Sequence, residues 1–309
     1  MARDDHTRRF GDIEVEISHP EKVLFPDAGV TKADLVDYYA RMAPVMLPHV
    51  RQRPLTLHRF PDGVDADGFY QQQSSGHFPD WLERAVVPRA SPGGEKVEHP
   101  LANQEAAFAY LANLGTITLH TWLAQMPDYT LPDRLVFDLD PSTGDFEPVR
   151  AAAHRIAGLM EELGMTPHVM TTGSKGLHVL APVRPEEDFD AVREVARGMA
   201  RILADAHPDT LTVEQRKDKR GDRLYLDMTR NAYGQTTVAP YALRARPEAP
   251  VATPLTWQEL ADKHVGPRSY TIANIFRRLA QTDDPWAGMH RHAVSLAKVR
   301  TKLEKKAAG

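Results

Sequence analysis

The stretch DRLVFDLDPSTG (residues 133–144) sets two aspartates, Asp138 and Asp140, one residue apart at the end of an apolar run. Side chains alternate along a strand, so Leu135, Phe137 and Leu139 share one face and Asp138 and Asp140 the other. At about 3.3 Å per residue the two carboxylates start roughly 7 Å apart at Cα. Their side chains can converge, and a divalent cation between them turns repulsion into attraction. RLYLDMT (223–229) offers a third carboxylate: apolar Leu224, Leu226 and Met228 alternate with Tyr225 and Asp227. Three carboxylates from two strands suit hard, oxygen-loving ions such as Mg2+ or Mn2+, and a two-metal phosphoryl-transfer centre. Taken alone, an aspartate followed by Pro-Ser-Thr-Gly is more often a turn former or a helix cap.

A second signal lies in TTGSKGLHVL (171–180). Gly173 and Gly176 let the backbone turn and expose N–H groups, while Thr172, Ser174 and Lys175 add hydroxyl and ammonium donors suited to a phosphate chain. The loop is not a P-loop, because the GxxxxGK[ST] spacing is absent and a strand, begun near His178, follows instead of a helix. Alone, such a loop is more often a plain turn. With the carboxylates it reads as metal ions plus triphosphate, the pattern of a nucleotidyl-transfer site.

Outward from these motifs the chain mixes helices and strands. TKADLVDYYARMAPVMLPHV (31–50) reads as a helix, with Thr31 as N-cap, Asp34 three residues on, and Leu35, Tyr38, Tyr39, Met42 and Met46 at helical spacing. Residues 53–100 are polar and dotted with Gly, which predicts short strands and a hairpin-like excursion at ASPGGEK (90–96). Residues 103–123 read as a helix passing through Gly115 into a strand, 147–164 and 188–208 as helices, and 222–230 as a strand. The first dozen residues read as a loose arm, and 286–309 as an amphipathic helix with a basic tail. This order predicts an α+β (mixed α/β) fold in one domain over 1–309, with an N-terminal portion near 12–115, a catalytic sheet near 116–260 and a helical end from 261.

Composition narrows the class. The 309 residues suffice for a substantial core, and 42% hydrophobic with 26% charged residues is ordinary for a soluble globular protein. There are no cysteines, which excludes disulfides and thiolate metal sites and fits a reducing compartment. The charged N-terminus lacks an apolar targeting segment, so a cytoplasmic location is expected. A net charge of −4 requires any nucleic acid to be held by local clusters. RQRPLTLHR (51–59), EQRKDKRGDR (214–223) and KVRTKLEKK (298–306) are such clusters.

These residues, in this order, resemble the polymerase domain of bacterial DNA ligase D, an archaeo-eukaryotic primase-type polymerase of non-homologous end joining. The resemblance runs from HPEKVLFPDAGVTKADLVDYY (19–39) to about TPLTWQEL (253–260), and LVFDLDP (135–141), TGSKGLH (172–178) and TTVAPYALRARP (236–247) are its most specific stretches. It implies a primase-type core with an RRM-like antiparallel sheet flanked by helices, two Mn2+ or Mg2+ ions, and a preference for ribonucleotides. Asp138, Asp140 and Asp227 then match the metal ligands. Thr172, Ser174, Lys175 and His178 match the triphosphate motif, and His120 and Arg244 match contacts to the incoming nucleotide. Lys22 and Lys32 match two lysines that bind the 5′-phosphate at a DNA gap, and Tyr70 stands where a template base is stacked. His58 and Arg59 fall on the DNA-binding side, and Arg220 lies in a loop that completes the active site.

Departures from the family pattern are Thr172 for serine, His58 for lysine, and Arg230 and Gln235. They bear on DNA affinity more than on chemistry. The implied partners are nucleoside triphosphates, DNA with gaps or broken ends, and through them Ku and a DNA ligase, with a nucleoid-associated location. A stand-alone primase-polymerase of another repair pathway is the alternative. A DxD-type glycosyltransferase is the rival from another class, and it would need an N-terminal Rossmann half that the sequence does not show.

Overall fold

The computed structural model describes residues 6–89, 93–141 and 144–308. Two four-stranded antiparallel sheets organise it. In chain order, their strands and the longer helices are α1 (Lys32–Val50), β1 (Leu55–Arg59), β2 (Phe69–Gln71), α2 (Glu105–Asn113), β3 (Thr116–Trp122), β4 (Arg134–Leu139), α3 (Glu147–Glu162), β5 (His168–Thr171), β6 (Leu177–Pro182), α4 (Phe189–Ala206), β7 (Thr236–Val238), β8 (Pro254–Leu255) and α5 (Leu296–Ala308). The first sheet runs β7–β3–β1–β2 and the second β4–β6–β5–β8.

The alternation of β4 decides how the layers stack. Leu135, Phe137 and Leu139 are fully buried and join a core built with α3 and α4 residues such as Val149, Ile156, Val192 and Met199. Each such side chain contributes about 1.5–3 kcal/mol on leaving water. Val136 points the other way, into a second core shared with Leu55, Leu57 and Leu119 of the first sheet and with α1 and α2. The second sheet is thus largely apolar on both faces, and at its end Asp138 of β4 pairs across from His178 of β6. A polar pair in that position must either satisfy itself or serve a ligand.

The signals at the start of α1 and the end of α2 hold. The Thr31 hydroxyl accepts from the Asp34 N–H while Asp34 accepts from the Thr31 N–H at 2.8 Å, which closes a capping box. Gly115, at φ +76°, reverses the chain between α2 and β3, a conformation that a β-carbon would penalise.

Three readings need correction. Residues 7–16 are a hairpin of Thr7–Phe10 with Ile13–Glu16, because Val15 and Ile17 bury their side chains and Arg8 ion-pairs with Asp37. The segment 222–230 is a strand only at Leu224–Tyr225. Thereafter Asp227 makes one isolated bridge to Asp138, and the chain coils into a 3-10 turn at Thr229–Asn231. At the C-terminus Met289–His292 is a separate 3-10 turn after a left-handed Gly288, and the helix begins only at Leu296. Within ASPGGEK, Ala90, Ser91 and Pro92 lie outside the described residues, but the strands on either side, Arg84–Pro88 and Lys96–Pro100, pair antiparallel. No helix among the described residues is long and apolar enough to cross a membrane.

Candidate active site

Asp138 ends β4 and Asp140 follows it, while the backbone N–H of Asp138 donates to the Asp227 carbonyl at 2.9 Å. The three carboxylates line one cleft of about 400 Å³ with Lys175, Lys217, Arg220 and Tyr225. Asp138 and Asp140 also line a neighbouring cleft of about 250 Å³ with Tyr70, His120, Thr172, Ser174, His178, Arg230 and Arg244. The DxD is therefore the wall between two polar clefts, together of the size that small-molecule ligands occupy.

The two aspartates of the wall are held in opposite electrostatic states. Burial pushes the Asp138 carboxyl up, but His178 and Arg230 outweigh it and hold the group well below the usual carboxylate range. Its Oδ1 lies 3.4 Å from His178 Nε2, and its Oδ2 accepts from Arg230 Nε at 3.1 Å. Asp140 is pushed up, by burial first and then by the charge on Asp138. Asp227 turns back on its own chain, where Oδ1 accepts from the Thr229 N–H at 2.7 Å and the Thr229 hydroxyl at 2.6 Å. Consequently no three His, Asp or Glu side chains among the described residues are already gathered around one ion position. The carboxylates share a cleft without yet sharing a point.

The loop between β5 and β6 packs directly on this wall. A β-carbon at Gly176 would lie 1.8 Å from the Leu139 carbonyl oxygen and 2.8 Å from Asp140 Oδ1. Gly176 is needed there for close approach rather than for the turn. The Thr172 hydroxyl donates to the Gly176 carbonyl at 3.2 Å and accepts from its N–H at 3.3 Å, so it braces the loop itself. Ser174 opens onto the smaller cleft, whereas exposed Lys175 lines the larger one. The triphosphate motif read as one unit is thus divided between two clefts. Gly176→Ala is expected to cost at least about 1–3 kcal/mol, the scale of overpacking, and to disturb Asp140. Gly158→Ala, in α3 with nothing within 4 Å, should instead stabilise by about 0.5–1 kcal/mol. Urea unfolding of both variants checks this contrast.

On the first sheet, His120 of β3 faces the smaller cleft. Its Nε2 is buried without a hydrogen-bond partner, and burial together with Arg244 keeps the ring well below the ordinary histidine value. Burial and the neighbouring Arg244 thus favour its neutral form, with Nε2 unpartnered beside the cleft. Arg244 donates to the Thr172 carbonyl at 3.2 Å. Tyr70 is 62% exposed and stacks on His58, with ring centroids 4.0 Å apart and planes 12° from parallel. His58 is itself lowered, by burial first and then by Arg244, which favours its neutral ring in this stack.

Arg59, one residue on, spends its guanidinium inside the fold. Nε and Nη2 donate to the Leu114 carbonyl and Nη1 to Gln71 Oε1. In this arrangement its donors are engaged with the fold. Arg220 stacks over Tyr225 at 4.1 Å and donates to the carbonyls of Glu214 and Gln215.

Lys22 and Lys32 meet at the start of α1, where the Lys32 N–H donates to the Lys22 carbonyl. Lys22 Nζ lies 2.6 Å from Asp62 Oδ1. Lys32 is 8% exposed, donates to the Ser18 hydroxyl at 3.2 Å, and is lowered by burial first and by Lys22 next. Arg230, in the sequence only a departure from the family pattern, is carried to Asp138 by the 3-10 turn at Thr229–Asn231.

A family model described as "LigD, primase-polymerase domain" matches residues 31–286. The chain is 33% identical over 290 residues to the multifunctional non-homologous end joining protein LigD of Mycolicibacterium smegmatis, covering 93% of this chain and 37% of that protein. It is 31% identical to the corresponding protein of Pseudomonas aeruginosa over 88% of this chain and 32% of that one. The chain therefore spans only about a third of the length of these relatives. Among solved structures, the polymerase domain from Mycobacterium tuberculosis ligase D in complex with DNA superposes with a TM-score of 0.83 at 32% identity, over 90% of this chain and 99% of that one.

Proposed function

Given that the chain belongs to the LigD primase-polymerase family and has the archaeo-eukaryotic primase fold, we propose that it extends DNA 3′ ends and fills gaps by template-directed nucleotidyl transfer during double-strand break repair. The observation that carries this reading is the carboxylate wall between two polar clefts. A polymerase must bring a triphosphate and a primer end to one metal centre from two sides, and two clefts that share Asp138 and Asp140 support that reading.

The all-oxygen donor set of Asp138, Asp140 and Asp227 fits Mn2+ or Mg2+. Two such ions, when bound, would activate the primer hydroxyl and steady the departing pyrophosphate. The residues of the chain supply the rest. Arg244, Ser174 and the loop amides hold phosphate charge from the smaller cleft, and Lys175 reaches it from the other side of the wall. His120 offers a hydrogen bond to the nucleotide without adding charge. Tyr70, backed by His58, presents an open aromatic face to a base, a contact worth about 1–3 kcal/mol. Lys22 and Lys32 receive the downstream 5′-phosphate. Ku and a DNA ligase would join the protein at the break.

All pairings in the two larger sheets are antiparallel, which leaves no Rossmann half for a sugar nucleotide among the described residues and disfavours the glycosyltransferase reading. The test is incubation of a gapped duplex with labelled ribo- or deoxyribonucleoside triphosphate under Mn2+ or Mg2+. Extension is expected, strongest with ribonucleotides and Mn2+. A clear deoxyribonucleotide preference in Mn2+ removes the nucleotide assignment, and absence of extension under every condition removes the polymerase reading.

A further inference from the structure

Asp138 is only 13% exposed, and its charge is compensated from within the chain. A carboxylate buried to that degree needs a counter-ion. His178 Nε2 stands 3.4 Å from Oδ1, and the Arg230 guanidinium takes Oδ2. Asp138 is also one of the residues that would hold a metal ion at this wall.

The backbone beneath Arg230 is fixed. Asn231 is fully buried, donates to the carbonyls of Val136 and Met228, and accepts from the Val136 N–H. Thr229, on the other side, is held by Asp227. Freedom is left to the Arg230 side chain, which is 40% exposed and reaches Asp138 through a single bond from Nε. That bond lacks the two-pronged geometry that makes arginine–carboxylate pairs tight. The contact places a positive charge on a buried carboxylate through one partly exposed side chain.

We propose that Arg230 is an internal counter-cation, holding Asp138 in the metal-free protein and leaving it when a divalent ion is seated. Arg230 thereby sets the metal affinity of the site. Because the same side chain lines the smaller cleft, metal loading and occupancy of that cleft are coupled through it. This rests on the reading of Asp138, Asp140 and Asp227 as metal ligands, and the test separates the two claims.

Free Mn2+ is followed by electron paramagnetic resonance during titration of the full chain, as wild type, Arg230→Gln and Asp138→Asn. Arg230→Gln is expected to bind Mn2+ about fivefold more tightly than wild type, the scale set by a partly exposed ion pair. Asp138→Asn is expected to bind more weakly. If Arg230→Gln binds no more tightly than wild type while Asp138→Asn is weakened, the counter-cation role is overturned and the metal ligands stand. Equal binding by all three, or binding by none, overturns both.

A second measurement keeps the native residue. In 15N-labelled wild type, the Arg230 Nε–H resonance should be protected from exchange without metal and should move or lose protection with Mg2+. A resonance unchanged at saturating Mg2+ overturns the proposal.

Discussion

Asp138→Ala and Asp140→Ala should each lower extension of a gapped duplex by about 10³-fold or more, the upper scale for removing one group that stabilises charge in a transition state. What distinguishes a metal centre from a merely structural pair is the expected stability of the same two variants. Asp138 is charged at little cost, since His178 and Arg230 hold its carboxyl low against the effect of burial. Its removal leaves both partners without their acceptor, so the melting temperature should fall. Asp140 is the opposite case, pushed up by burial and by its neighbour. Removing it relieves repulsion, and the metal-free protein should melt higher. Divalent ions should then raise the melting temperature of wild type more than that of either variant. Two variants equal in lost activity and opposite in stability are the signature of carboxylates held for a cation. Near-normal extension by both would remove the assignment.

The second large effect concerns the DNA end. Lys32 is a buried ammonium with one hydroxyl partner and a like charge beside it, while Lys22 is shared with exposed Asp62. Both stand at the capped N-terminus of α1, where the helix dipole adds positive potential. A terminal phosphate carries nearly two negative charges, against one on an internal diester. Charge-assisted bonds of this kind are worth about 1.5–3 kcal/mol each when well formed. Gapped DNA with a downstream 5′-phosphate should therefore bind at least about tenfold more tightly than the 5′-hydroxyl form. The difference should disappear in Lys22→Ala plus Lys32→Ala and shrink as salt screens it. Dissociation constants for both DNA forms, with both proteins at two ionic strengths, decide the matter. A phosphate preference that survives the double substitution places the pocket elsewhere.

Much of the site was legible because it depends on periodicity. The alternation in RLVFDLD put Asp138 opposite Leu135 and Phe137, and the two cores of the fold respect that division. The capping box at Thr31 and the reversal at Gly115 are local in the same sense. What could not be read is where a flexible or small residue finds a distant partner. Arg59 looked like one more cation of a basic cluster, yet its donors go to Leu114, 55 residues away. Arg230 reaches Asp138 across 92 positions. Gly176 looked like a turn residue, and its role appears only when the Leu139 carbonyl is in place against it. The hairpin at residues 7–16 was missed because its strands are four residues each, too short for their alternation to stand out among charged neighbours.

The most direct test of the account is template dependence at a one-nucleotide gap. Four duplexes differing only in the unpaired template base, each with a downstream 5′-phosphate, are incubated with all four ribonucleoside triphosphates and Mn2+, and the added nucleotide is identified. The account predicts addition of one nucleotide, complementary to the template base in each duplex and lost in Asp138→Ala. Addition of the same nucleotide whatever the template base, or undiminished addition by Asp138→Ala, would contradict it.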